Sequence, residues 1–102
     1  MNRNLPTSAR PERRRDTRRP AAGTVRLHLE DPLPRDLEFE LMDVSASGFR
    51  AVHQSGALPC GQDVLFRHPD GAGYARVVWN RVLPDHVETG FMVLAAETRS
   101  AA

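Results

Sequence analysis

Lysine is missing from this chain of 102 residues, so all 14 of its cationic side chains are arginine. Cysteine is almost missing too. Cys60 stands alone, which excludes an intrachain disulfide and a cysteine-based zinc site and suits a reducing compartment. No stretch approaches the ~18 consecutive apolar residues of a membrane span. No apolar run comes after the N-terminal positive charges, as a secretory leader requires. There is no glycine-rich phosphate loop leading into a helix. The four histidines (His28, His53, His68, His86) fall on separate segments without metal-ligand spacing, and read as surface imidazoles. Asp43 and Ser45 lack a base placed by a hydrolase motif. These absences point to a soluble, cytoplasmic protein without membrane insertion, metal or cofactor, and to a binding module rather than an enzyme.

What is present is enough for one modest core: 40% of residues are hydrophobic and 26% charged. The charge is unevenly distributed. Residues 1–20 carry seven arginines against Glu12 and Asp16, whereas residues 21–102 carry seven arginines against eleven acids. A basic arm therefore precedes a mildly acidic body, and such an arm calls for an anionic partner. Arginine suits that task, because its planar fork grips phosphate with two donors and stacks on flat rings.

Residues 1–23 are punctuated by Pro6, Pro11 and Pro20 and carry few apolar side chains, so they read as a flexible arm. From Thr24 the pattern alternates apolar and polar, the period of a half-buried strand. Strands are expected at 24–30, 37–45, 48–53, 62–68, 74–82 and 87–94, separated by turn residues such as DPLPRD at 31–36 and PDG at 69–71. The alternation sets Ala75, Val77 and Trp79 opposite Val78 and Asn80. Six short strands with frequent turns indicate an all-β sandwich or barrel. Residues 95–102 form a short tail with little room for a C-terminal helix.

Two constellations carry chemistry. The first is ERRRDTRRP (12–20), containing Arg14-x-x-x-Arg18. Arginines four apart can close on a polyanion, pair with O6 and N7 of guanine, or lie over a base. The second is DVSASG (43–48), in which Asp43 and Ser45 stand two apart at a strand end. A carboxylate beside a hydroxyl suits the Watson–Crick edge of guanine, and Gly48 allows a tight turn or a close approach. Each has a plainer reading when taken alone, as a solvated basic tail and as a turn.

Taken together, in this order and within one small β-domain, the two motifs resemble those of the PilZ domain, a bacterial receptor module for cyclic di-GMP. Its pattern is RxxxR and then, two strands later, (D/N)xSxxG. Arg18-Arg19-Pro20, LPCGQDV, ARVVW and TGFMVL add to the likeness, which covers about residues 12–94. Arg15/Arg19 and Arg10/Arg14 share the arginine spacing; the distance to Pro20 selects Arg14/Arg18.

The resemblance implies a six-stranded antiparallel β-barrel over residues 24–94, with the arm ordering itself over the ligand. It implies that Arg14 and Arg18 grip phosphate and guanine, that Asp43 and Ser45 contact guanine, and that Gly48 gives clearance. Arg13 directly precedes the motif, which implies two intercalated ligand molecules per site. Trp79 lies on the strand beside the ligand surface, as core or as base contact, with Arg50 and Asn80 as rim residues. A free-standing receptor of this kind would signal through an unknown downstream protein. The alternatives are a ligand-free interaction domain of the same fold, disfavoured by two intact motifs, and a small nucleic-acid-binding barrel, disfavoured by the few aromatics and the acidic body.

Overall fold

The computed structural model describes residues 17–97. Seven strands succeed one another: β1 (Arg19–Pro20), β2 (Thr24–Leu29), β3 (Arg35–Val44), β4 (Gly48–His53), β5 (Asp63–His68), β6 (Gly71–Val82) and β7 (Val87–Ala96). Every pairing is antiparallel, and the strands from β2 to β7 close into a ring in the order β2–β5–β6–β7–β4–β3. The result is a closed six-stranded β-barrel plus one short extra strand, β1, on β3. No helix occurs among the described residues.

The alternation seen in the sequence fills the interior. Val25, Leu27 and Leu29 of β2, Phe39 and Leu41 of β3, Val64 and Phe66 of β5 and Ala75 and Val77 of β6 are all buried. At the centre Phe49 is 1% exposed, stacked on Phe91 at 4.7 Å and tilted against Phe66 at 4.9 Å. Large rings with little torsional freedom fill a narrow barrel at low entropic cost, and their offset stacking adds to the burial itself.

The arm ends earlier than the sequence suggests. Residues 17–23, read from the sequence as its last part, run along β3. Arg19 and Pro20 pair with Val44 and Asp43, the Ala21 amide donates to the Met42 carbonyl, and the Leu41 amide donates to the Gly23 carbonyl. β1 and β2 are thus one interrupted strand. The break falls at Gly23, whose φ of 111° only glycine adopts easily.

Of three register shifts in the barrel, two set which way the residues of the candidate site face. In β3 the register shifts between Leu41, opposite Ala51, and Asp43, opposite Arg50, leaving Met42 as the extra residue. In β6 it shifts between Val77, opposite Phe91, and Trp79, opposite Gly90, leaving Val78 as the extra residue. An inserted residue reverses the facing of the residues after it. Asp43 therefore turns outward although Leu41, two residues earlier, points into the core. Trp79 likewise leaves the face shared by Ala75 and Val77, where simple alternation sets it.

The far end of the barrel is closed by Leu58, 5% exposed, in the segment between β4 and β5. Asn80 holds it. Its Oδ1 accepts from the Leu58 amide and its Nδ2 donates to the Leu58 carbonyl, while the Thr89 hydroxyl donates to the same Oδ1. Asn80 is thus a structural clamp rather than a rim residue. His53, expected at the surface, is 6% exposed and stacked on Phe39 at 3.7 Å. Its Nδ1 accepts from the Ser55 amide, so Nε2 carries the proton and donates to Thr89 Oγ1.

This end of the barrel makes two properties measurable. Asn80→Ala strands both Leu58 backbone groups, and urea unfolding should show a loss of about 2–3 kcal/mol. Burial lowers the His53 pKa below 6.5, and burial also lowers that of His68, partly opposed by the Asp70 charge. The unfolded chain then takes up protons that the folded one refuses. Stability from these histidines is complete above about pH 6.5 and is lost as the pH falls below it. His28 acts in the opposite direction, because hydrogen bonds to Asp36 and Glu30 raise its pKa; its contribution is complete below pH 6.5 and fades as the pH rises. A His53→Gln variant should show a shallower fall in stability than the parent between about pH 7 and 5.

Candidate functional site

The register places five residues in one row across five neighbouring strands: Pro20 of β1, Asp43 of β3, Arg50 of β4, Gly90 of β7 and Trp79 of β6. Directly opposed residues share a face. The neighbours of Arg50 on β4, Phe49 and Ala51, are buried in the core, so this row lies on the outside of the barrel.

Asp43 anchors the row. Its Oδ1 accepts a hydrogen bond from Arg18 Nη1 at 3.0 Å. Its Oδ2 accepts from Arg50 Nε at 2.9 Å and also from Arg50 Nη2. The residue is 7% exposed, because these guanidinium groups cover it. Burial alone would raise its pKa, but the hydrogen bonds and charges of Arg50 and Arg18 outweigh burial and hold the carboxyl below its ordinary value. Two arginines thus share one carboxylate.

Trp79 forms the other end. The indole lies so closely over Gly90 that a Cβ there would overlap its Nε1 and Cε2. Trp79 is 36% exposed, on the outside of the barrel.

Ser45 lies in the turn from β3 to β4, and Gly48 opens β4. The Ser45 amide donates to the Gly48 carbonyl at 2.8 Å, and its hydroxyl approaches the same oxygen at 3.4 Å. Gly48 is required by packing, since a Cβ there would overlap the Phe91 carbonyl oxygen. Both residues line a recess of about 320 Å³ together with Arg19, His68 and Asp70. Arg19 turns toward Asp70 at 3.6 Å, which leaves Arg18 as the arginine that meets Asp43.

A larger groove of about 930 Å³ lies over β2, β5 and the start of β6, around Leu65 and Tyr74. Its cations are matched locally: Arg26 with Glu38, Arg67 with Glu97, and His28 with Asp36 and Glu30. In the row around Asp43, by contrast, two arginines share one carboxylate. Among the described residues, no group of three His, Cys, Asp or Glu side chains could hold a metal ion, and no helix is long and apolar enough to cross a membrane.

Of the residues singled out from sequence, Arg18, Asp43 and Trp79 come together along one face with Arg50, while Ser45 and Gly48 border it. Arg13 and Arg14 lie outside the described residues. Sequence reasoning does not single out Gly90, because its importance depends on a cross-strand neighbour; its place in TGFMVL, in the strand after ARVVW, is the available signal. No protein-family model matches the chain, and no curated protein matches it.

Gly90→Ala should displace the indole, because a side chain yields more readily than backbone. The emission maximum of the sole tryptophan should shift to the red with little change in Tm. Gly48→Ala meets backbone instead, and should cost about 1–3 kcal/mol in chemical denaturation, the usual range for overpacking.

Proposed function

We propose that this chain is a cyclic di-GMP receptor of the PilZ type, acting in the bacterial cytoplasm through contacts with a downstream protein. The observation that carries the reading is the Arg18–Asp43 ion pair. It joins the RxxxR motif to the DxSxxG motif across 25 residues of sequence, at a surface that also holds Arg50 and Trp79. Guanidinium groups on the same surface as a flat aromatic ring suit a ligand with two phosphates and two purines.

In this reading Arg13, Arg14 and Arg18 hold phosphate and guanine, Asp43 and Ser45 accept from the guanine N1–H and N2–H donors, and Trp79 offers its face to a base. Gly48 keeps the turn close to β7. Two ligand molecules occupy the site. Ordering of the arm over the ligand changes the surface offered to a partner, a disorder-to-order switch whose ordering cost weakens the net affinity. No step requires bond chemistry, so the protein acts as a receptor and not as an enzyme.

A second reading draws on the same ion pair. An Arg18–Asp43 pair that fastens the end of the arm to the barrel also suits an interaction module of the same fold that takes no ligand. Titration calorimetry separates the two. Cyclic di-GMP should bind at two molecules per chain, GTP and a short RNA should not bind, and the paired Arg14→Ala/Arg18→Ala variant should lose the signal. Trp79→Ala should weaken binding by about 10–100-fold, the loss of one stacked base. Absence of heat from folded protein would overturn the receptor reading in favour of the interaction module, and binding of RNA in its place would indicate a nucleic-acid barrel.

A further inference from the structure

We infer that Arg50 is a positioning residue of this site: it is the standing counter-ion that keeps Asp43 paired while Arg18 changes partners. The inference rests on the receptor reading above and concerns a residue outside both motifs.

The two carboxylate oxygens have separate partners. Oδ2 belongs to Arg50, held by Nε and Nη2 of one planar fork. Oδ1 belongs to Arg18, held by Nη1 alone. The two arginines also differ in their supports. Arg50 stands directly opposite Asp43 in a ladder pairing between two barrel strands, so its backbone is fixed on both sides by β3 and β7. Arg18 precedes the two-residue strand β1 and has a side chain 45% exposed, against 32% for Arg50. Of the two, Arg18 can leave.

Ligand capture gives it a reason to leave. When Arg18 turns both Nη groups toward phosphate or guanine, it gives up its single bond to Oδ1, made by Nη1 alone. Without another partner, Asp43 would become an unpaired charge facing an incoming dianion. Both effects oppose binding, because a charge covered by ligand without a partner is costly and like charges repel. Arg50 removes both. It keeps the carboxylate ionised and neutralised, and it holds Oδ2 so that Oδ1 points where Arg18 had been, free to accept from a guanine N–H.

The experiment is a calorimetric cycle with cyclic di-GMP on the full chain: parent, Arg50→Met, Asp43→Asn and the double variant, with thermal unfolding of each. Arg50→Met should weaken binding on the order of 10–100-fold, the equivalent of stranding one buried polar group. In the Asp43→Asn background the same change should have little effect, since a neutral amide needs no counter-ion. Arg50→Lys, which restores the charge with fewer fixed donors, should recover most of the affinity and provides the comparison if Arg50→Met fails to fold. Parent-like affinity in a folded Arg50→Met overturns the assignment while leaving the receptor reading intact. Where Arg50→Met is unfolded, a folded Arg50→Lys that no longer binds overturns it as well. An equal loss from Arg50→Met in both backgrounds also overturns it, because Arg50 would then touch the ligand directly. Absence of binding by the parent overturns the receptor reading and this assignment together.

Discussion

Closure of the barrel depends on β3 serving three neighbours. Its first half pairs with β2, its second half pairs with β4, and β1 lies along its end. A bulge bends a strand and strengthens its twist, which helps a sheet to close. The bulge at Met42 falls where β3 passes from β2 to β4, and the outward carboxylate of Asp43 is its consequence. The bulge at Val78 does the same for Trp79 at the other end of the row. The geometry that closes the core also composes the candidate site, so the backbone of the one is the backbone of the other.

Much of this is legible in the sequence, for a definite reason. Strands with one face buried announce themselves by alternation, and turns by proline, glycine and aspartate. The stretch GFRAVH is β4 without adjustment, and TVRLHL is β2, one residue shorter than its alternation suggests. What alternation cannot reveal is an inserted residue. Met42 and Val78 look like ordinary strand residues, yet each reverses the facing of those after it. Pattern alone therefore sets Trp79 on the core face, and it stands on the outer one. β1 is hidden for a related reason: Arg19 and Pro20 carry no apolar signal, and their place comes from the β3 backbone alone.

The site is legible as residue types and not as relations. Arginine, aspartate and serine at those spacings suggest an anion and a purine. That Asp43 is shared by two arginines, and that Gly90 makes room for the only tryptophan, depends on register across β3, β4, β7 and β6. Histidines are the least legible. His53 and His28 look alike in sequence, yet one is buried against Phe39 as a neutral ring and the other is flanked by two carboxylates on the surface. Their opposite pKa shifts come from surroundings that only the fold supplies.

Pro20 has a consequence of a different kind. Among the described strands, β1 is the one with a neighbour on a single side. An exposed edge invites another chain to add a strand, which is how β-proteins aggregate. This edge is only two residues long, and one of them has no amide hydrogen to offer. An incoming strand finds almost no ladder to extend. The chain can thus lead a basic segment into the wall of its barrel without presenting a template for polymerisation.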